Sequence, residues 1–361
     1  MNRATSGWLR LWLLMLVLPA AGLLPAQQSK PASSPADDEE EPASASAPAQ
    51  VKWADSYEAA KAQALQRQAP LVVIFLAENV PASMGLESRV ISDAQVRDLL
   101  VEMAAVKLDA ASEAGKALFE ATGQKQPPLT QIFHAQGPGN LELLDAIPGA
   151  APVDLYRRHL QAAKTYVALA RQEKPSPQVR WEMALSRLVL STREKTLPVL
   201  DELAKNPPPG VPPERIKLAK AQAIAAKDPA AAKKLAQEVL QSAADKEELG
   251  GQAMLFLARQ AAVEKDNKTA LELANKYIAA FPAGGDLAQA YYDKAILLFG
   301  GGDRPAAVAA LNEYMQNHRD DPASGKVRDL LADLTGGKRL PPPGSASRPG
   351  IAAPTATSSA P

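Results

Sequence analysis

The pattern of apolar and polar positions divides the chain into a first part that alternates strands and helices and a second part that is helical throughout. Between residues 51 and 165, short β-branched and aliphatic runs alternate with segments whose apolar side chains recur every three or four positions. The run LVVIFLA is typical of a buried strand. The predicted elements are, in order, a helix at 55–67, a strand at 71–77, a helix after Asp93, a strand at 104–110, a helix at 112–122, strands at 129–135 and 141–147, and a helix from 152.

The order of these elements predicts an α/β domain. The second and third strands are joined through the helix at 112–122, and the last two strands form a hairpin across the turn at 137–140. A sheet built this way is mixed rather than purely parallel.

The second part of the chain repeats a helical theme. The segments AKDPAAAKKLAQEVL, EKDNKTALELANKYI and GGDRPAAVAALNEYM place Asp228, Asp266 and Asp303 at spacings of 38 and 37 residues. Two further segments, at 178–206 and 327–334, match a diverged first unit and a closing helix. We therefore expect an all-α array of stacked helical hairpins.

Both ends of the chain differ in composition from the parts between them. Arg3 and Arg10 precede an apolar run at 11–24 that is short for a bilayer span. This arrangement is typical of a secretory signal peptide. Cleavage near Ala26, cleavage after Gly22 and an uncleaved N-terminal anchor are the alternatives, and all of them predict export.

The predicted organisation is a signal peptide at 1–26, a disordered linker at 27–50, the α/β domain at 51–170, the helical array at 175–335 and a disordered tail at 336–361.

Composition argues against several classes of function. Lysine plus arginine and aspartate plus glutamate each total 40, and without a basic cluster nucleic acid is not an expected partner. The chain contains no cysteine, which excludes disulfides, thiolate nucleophiles and thiolate metal ligands. Its histidines, His134, His159 and His318, are far apart in sequence. Since the sequence also lacks a phosphate-binding loop and a nucleophile elbow, no metal site and no cofactor are predicted.

The stretch FLAENVPAS, from Phe75 to Ser83, carries a resemblance to a known family. It aligns without a gap on the pattern Phe-x-Ala-Glu-x-Cys-x-x-Cys, so residues 51–165 resemble the thioredoxin family and its exported branch. The resemblance implies a thioredoxin-like fold. Where that family has its attacking and resolving cysteines, this chain has Val80 and Ser83. Because thiol–disulfide exchange needs a thiolate, the resemblance predicts a redox-inactive domain.

Pro128 matches the cis-proline of the thioredoxin family by its spacing to Phe133 and Gly137. In that family the residue before the cis-proline offers its backbone N–H and C=O to an extended substrate. The residue before it here is Pro127, which has no N–H. Half of the backbone clamp is therefore missing. Two alternatives stay open: a peptide-binding groove, and a scaffold whose former site is only surface.

The helical part resembles the exported tetratricopeptide (TPR) proteins of bacterial envelopes. Its period is close to the unit of about 34 residues of that family, and Ala258, Ala270, Ala295 and Ala307 match the small residues where paired helices meet. The resemblance implies a concave surface, lined by the first helix of each pair, that binds peptides or protein segments. The alternative for each candidate on that surface is an ordinary solvated helix residue. The candidate partner-binding residues are Arg180, Lys220, Arg259, Tyr291, Tyr292 and Lys294.

Together these features predict a non-catalytic adaptor or scaffold that binds envelope proteins in the periplasm or outside a bacterial cell. After signal cleavage no stable membrane insertion is expected. The alternative is a chaperone-like holdase that grips unfolded chains with an apolar patch around Val80, Pro81 and Met84. An enzyme of another kind is the least favoured hypothesis, because the sequence shows no catalytic constellation.

Overall fold

A computed structural model describes residues 50–319, 321 and 323–336. The predicted signal peptide, nearly all of the predicted linker and the predicted tail after Gly336 lie outside the described residues. The described residues form two compact units, one ending at Ala244 and the other beginning at Asp245. Within the described ranges, no helix combines the length and the apolar character that crossing a membrane requires.

The first unit contains a four-stranded mixed sheet made of β1 (Leu71–Leu76), β2 (Ala104–Asp109), β3 (Leu129–Gly137) and β4 (Asn140–Pro148). The strand order is β2-β1-β3-β4. β1 and β2 are parallel, whereas β3 is antiparallel to both β1 and β4. The predicted mixed sheet is confirmed.

Three of the five helices that accompany the sheet start at a side chain that caps them. They are α1 (Tyr57–Arg67), α2 (Pro81–Gly85), α3 (Ala94–Val101), α4 (Glu113–Glu120) and α5 (Val153–Ala170), and α2 continues as a π-helical turn, Leu86–Ile91. Ser56, Asp93 and Ser112 precede α1, α3 and α4, and their side-chain oxygens accept hydrogen bonds from N–H groups of the first turn.

β1 is the centre of the core. Leu71, Val73 and Phe75 alternate along the strand and pack in one cluster with Ala60 and Ala64 of α1. The intervening residues of β1 are also fully buried. A strand that is covered on both faces requires apolar residues at successive positions, which explains the uninterrupted run in the sequence.

The first unit continues beyond the sheet into helices. These are α6 (Pro177–Leu188), a 3₁₀ turn (Arg193–Thr196), α7 (Leu197–Lys205), α8 (Pro213–Ile224) and α9 (Pro229–Ala243). The predicted boundary between 51–170 and 175–335 therefore does not coincide with the division between the two compact units.

The segment after α6 returns to the sheet and covers the edge strand β4. The Ser191 N–H donates to Asp145 Oδ1 at 2.8 Å, and Ser191 Oγ accepts from the Ala146 N–H at 3.0 Å. Thr192 Oγ1 donates to the Leu144 carbonyl at 2.6 Å. Side chains thus satisfy backbone groups that would otherwise be left open on this edge.

The second unit is helical in its described part. It contains a π-helical turn (Glu247–Gly251), α10 (Gln252–Val263), α11 (Asn267–Ala280), α12 (Leu287–Gly300), α13 (Arg304–Asn317) and α14 (Ser324–Thr335). α10 packs on α11, α11 on α12, and α12 on α13, and α14 contacts both α12 and α13. In the first unit, α6 likewise contacts both α7 and α8, and α8 packs on α9.

The aspartates of the repeated theme hold equivalent structural positions. Asp228, Asp266 and Asp303 precede α9, α11 and α13, the second helices of their pairs. The carboxylate of each accepts a hydrogen bond from the N–H three residues later, at 2.9, 3.1 and 2.9 Å respectively. The sequence period therefore corresponds to a repeated helix start.

Three sets of equivalent positions in these second helices follow the same period, and all of their members are fully buried. The sets are Ala232, Ala270 and Ala307; Ala236, Ala274 and Leu311; and Val239, Tyr277 and Tyr314.

Candidate functional site

The segment that matches the thioredoxin pattern, residues 75–83, runs from the end of β1 into the first residues of α2. Val80 is half-buried and immediately precedes α2, which begins with Pro81. Its side chain contains neither a lone pair nor an ionisable proton, so it provides neither a nucleophile nor a base. Asn79, the residue before it, has a positive φ of 60°, a conformation that asparagine tolerates well.

Ser83 has a structural contact in this segment. Its side chain is 2 % exposed, and its Oγ accepts a hydrogen bond from the Ala77 N–H at 3.2 Å. The hydroxyl therefore joins the end of β1 to α2. Among the described residues, no histidine is hydrogen-bonded to the Ser83 hydroxyl, so none is placed to remove its proton.

The peptide bond between Pro127 and Pro128 is cis, the geometry that the thioredoxin resemblance implies for Pro128. The Pro128 carbonyl accepts a hydrogen bond from the Gly149 N–H at 2.8 Å. The backbone groups that would meet an incoming peptide are those of Pro127, and Pro127 has no N–H to offer.

An exposed apolar patch lies at the start of α2. Met84 is 55 % exposed, the highest value among the large apolar side chains of the described residues. Pro81 and Ala82 are exposed as well, and Val80 is half-buried. This is the patch on which the holdase alternative depends.

Two of the six candidate partner-binding residues lie in the first unit, where both form ion pairs with α7. Arg180 of α6 lies 2.8 Å from Glu202, and Lys220 of α8 lies 2.6 Å from Asp201. Both cations are half-buried, whereas both carboxylates are largely exposed. Partly exposed pairs of this kind contribute little to stability, and they hold the two cations in place on neighbouring helices.

Arg259 of α10 is buried, with 7 % of its surface exposed. Its Nε donates to Asp293 Oδ2 of α12 at 2.8 Å, and its Nη2 has no hydrogen-bond partner among the described residues. A buried pair of opposite charges depends on each partner, because removing one leaves the other uncompensated. Arg259 therefore connects the first helices of neighbouring pairs instead of offering an exposed contact.

The other candidates all lie on α12. Tyr291 is buried, and its hydroxyl donates to Glu313 of α13 at 2.7 Å. Lys294 lies 5.8 Å from the centre of the Tyr291 ring, within the range of a cation–π contact. Tyr292 is half-buried, and its pKa is raised by burial and by the nearby charges of aspartates on α12 and α14.

Sequence reasoning missed a polar chain that joins the first helices of the second unit. Gln289 Nε2 donates to Asp293 Oδ1 at 2.6 Å, and Gln289 Oε1 accepts from Lys326 Nζ of α14 at 2.8 Å. Together with Arg259 these residues cross α10, α12 and α14. The spacing of Gln289 and Asp293 by one helical turn is the sequence signal that could have indicated it.

A second polar cluster fastens α6 to the sheet. The Arg187 guanidinium donates to Glu142 of β4 and to the Tyr166 hydroxyl, and it lies 4.6 Å from the centre of the Tyr166 ring. Burial alone would raise the pKa of Glu142, but the neighbouring His134 and Arg187 outweigh burial and lower the pKa to about 2. Glu142 is therefore ionised at neutral pH and anchors α6 as a charged acceptor.

Within the described part of the chain, no three histidine, aspartate or glutamate side chains are grouped so that they could hold a metal ion. No protein-family model matches the chain, and no curated protein matches its sequence.

Proposed function

We propose that this protein is an exported, non-catalytic adaptor with a redox-inactive thioredoxin-like domain and a tetratricopeptide-like array that binds envelope proteins. The observation that carries the proposal is the repeated helix pairing. In both units a first helix contacts its own partner and also the first helix of the next pair, as α12 does with α13 and α14. This pairing would line up the first helices on one surface.

The absence of thiols supports the non-catalytic part of the proposal. Val80 and Ser83 occupy the positions of the two reactive cysteines, and the Ser83 hydroxyl is engaged with the backbone of Ala77. An insulin disulfide-reduction assay is expected to give no turnover, and measurable turnover would contradict the proposal.

The binding surface that we favour lies on α12 and α14. Tyr292 is half-buried there, and Asp329 and Asp333 are exposed on α14. Burial and the charges of nearby aspartates, these two among them, raise the pKa of Tyr292. An aromatic ring with carboxylates around it provides apolar area and charge specificity together. Arg259 and Tyr291 would stabilise this surface from beneath.

Photo-crosslinking in envelope extract tests the adaptor proposal with the full-length protein. A benzophenone group is attached through Gly325→Cys on α14, where an added side chain meets no neighbouring atom and the proposed carboxylates are kept. Crosslinked proteins are identified, and the binding of each purified partner is measured. Tyr292→Ala is expected to weaken that binding about 10-fold or more, as for an aromatic residue at the centre of an interface. Glu272→Gln, at an exposed position of α11, is the matched control. Equal loss of binding in both variants would count against this surface.

The exposed side chain of Met84 favours a second candidate function, the chaperone-like holdase. In that case the full-length protein would suppress aggregation of a denatured client, and Val80→Asp would abolish the suppression because a charge would enter the patch. Suppression that is unchanged in Val80→Asp would remove this candidate.

A further inference from the structure

A cleft opens at the carboxyl ends of the parallel strands β1 and β2. Its volume is about 410 Å³. Clefts at the carboxyl ends of parallel strands are common ligand-binding positions in α/β proteins. Its lining includes Ser83 and Met84 of α2 but neither Pro127 nor Pro128.

One part of the cleft is apolar. Leu76 lines it from the end of β1, and Met84 contributes a flexible thioether side chain from α2. The Leu108 side chain packs on the other face of the sheet, in the cluster around Phe75. Leu76 is half-buried, and Met84 is more than half exposed. Leu76 and Met84 can cover apolar side chains of different shapes, since methionine adapts its conformation to what it contacts.

The charged part of the cleft is negative overall. Glu78, Glu87 and Asp109 face a single ammonium group, that of Lys107. The Lys107 ammonium group already has two partners within the chain. Its Nζ lies 2.6 Å from Glu87 Oε1 and 4.7 Å from the centre of the Trp53 ring. The carboxylates of Glu78 and Asp109 have no ion pair with any described residue, although Asp109 Oδ1 accepts from the Ala111 N–H. Two carboxylates therefore remain available to a cationic ligand.

The backbone beside the cleft can also bind. β2 is an edge strand, and its outer side is bridged by Trp53 at Ala105, where the Ala54 N–H donates to the Ala105 carbonyl at 2.8 Å. Because successive residues of a strand direct their N–H and C=O groups to alternate sides, the backbone groups of Lys107 face the same outer side as those of Ala105. An extended peptide could hydrogen-bond there.

We propose that this cleft binds an extended segment of a partner protein in which lysine or arginine alternates with apolar residues. The cationic side chains pair with Glu78 and Asp109, and the apolar side chains, which alternate to the other side of the extended segment, contact Met84 on the opposite wall of the cleft. An acidic segment is excluded by like charge, which also rules out the chain's own stretch Asp37–Glu41 as the occupant. The site lies in the first unit and does not depend on the proposed function of the helical array.

Fluorescence anisotropy with the full-length protein tests this proposal. The probe is a labelled, end-capped peptide in which lysine and leucine alternate, and the comparison peptides carry glutamine or glutamate in place of lysine. The lysine peptide is expected to bind more tightly than the glutamine peptide, and its binding should weaken as salt rises to about 0.5 M, where charges are screened within a few ångströms. The glutamate peptide is expected not to bind.

Variants locate the site. Glu78→Gln and Asp109→Asn are each expected to weaken binding of the lysine peptide about two- to fivefold, the effect of losing one partly exposed ion pair. Lys107→Gln should instead tighten binding, because it releases the Glu87 carboxylate. Glu120→Gln removes an exposed carboxylate outside the cleft and serves as the control. Circular dichroism verifies that every variant is folded.

Three results would overturn the proposal. The first is that the lysine peptide binds with a Kd weaker than about 1 mM, and the second is that the glutamine peptide binds as tightly as the lysine peptide. The third is that Glu78→Gln and Asp109→Asn, both folded, bind as tightly as the unchanged protein. Loss of binding in the control variant to the same extent as in Glu78→Gln would also count against the cleft.

Discussion

The Asp145 carboxylate accepts a hydrogen bond from the backbone N–H of Ser191 at 2.8 Å. Asp145 is fully buried, and its second oxygen lies 2.6 Å from Nδ1 of His159 on α5. One carboxylate therefore joins β4, α5 and the segment after α6. This contact accounts for the first compact unit extending past α5, since the segment around Ser191 closes the sheet edge.

Asp145→Asn is expected to weaken this junction. The amide keeps one oxygen acceptor but loses the negative charge that faces His159. Because of this loss, the free energy of local unfolding should fall by about 2–3 kcal/mol. Hydrogen–deuterium exchange should show faster exchange in β4 and at 189–192. Asp154→Asn, at an exposed position of α5, is the control and should leave both segments protected. Unchanged exchange in Asp145→Asn would show that the carboxylate does not hold the segment.

The strand and helix order of the first unit could be predicted from sequence because each element carries a local signal. β1 is a continuous apolar run, and Asp93 and Ser112 are recognisable caps. The return of Ser191 to β4 could not be predicted, because it is a contact between residues 46 apart in the chain. No periodicity encodes which polar side chain covers an edge strand.

For the candidate binding residues, too, the sequence predicts the helices but not the contacts between them. Helical periodicity correctly places Arg259 and Tyr291 within helices, but it does not reveal that Arg259 meets Asp293 or that Tyr291 meets Glu313. A charged or aromatic residue on a helix can face solvent or a neighbouring helix. The partner across the interface decides between these alternatives, and that partner is distant in sequence.

The acid sensitivity of the contact between α6 and the sheet should depend on Glu142, the partner of Arg187. Its pKa is lowered from 4.5 to about 2, so the folded state binds this proton less readily than the unfolded state does. The stabilisation is therefore fully present above pH 4.5 and is lost as the pH falls toward 2.

Thermal unfolding as a function of pH measures this effect. The difference in melting temperature between the unchanged protein and Glu142→Gln should be constant from pH 7 to about pH 5 and shrink in more acidic buffers. Glu120→Gln should show a difference that does not vary with pH. A pH-independent difference for Glu142→Gln would mean that the carboxylate charge is not what stabilises the contact with Arg187.

The pair Arg259–Asp293 should behave as a buried ion pair in a double-mutant cycle. Arg259→Met or Asp293→Leu alone leaves an uncompensated buried charge and is expected to cost about 3–5 kcal/mol, whereas the double variant should recover much of that loss. Urea unfolding followed by circular dichroism gives the free energies. Arg180→Met, which removes a partly exposed pair, should cost less than about 1 kcal/mol. Additive losses in the double variant would contradict direct coupling between the two side chains.

The capping aspartates should contribute similarly in each repeat. Asp266→Ala and Asp303→Ala remove the acceptor for the N–H of Thr269 and of Ala306, and each is expected to cost about 1 kcal/mol. Asp266→Asn and Asp303→Asn keep an oxygen acceptor and should cost much less. Urea unfolding measures both pairs of variants. If the asparagine variants lose as much as the alanine variants, the hydrogen bond at the helix start is not the source of the stability.

The resemblance to thioredoxins can be tested by restoring the missing thiols. Val80→Cys and Ser83→Cys together place two thiols at the start of α2, one before the first helical residue and one in its first turn. The unchanged chain has no cysteine, so a thiol assay reports these two groups alone. Mild oxidation should remove both thiols by forming an intrachain disulfide, and the reduced double variant should then catalyse insulin reduction, because a thiol at a helix N-terminus has a lowered pKa. Each single variant is the control and should give no turnover. Failure of the disulfide to form in a folded double variant would show that residues 80 and 83 do not have the geometry of a thioredoxin site.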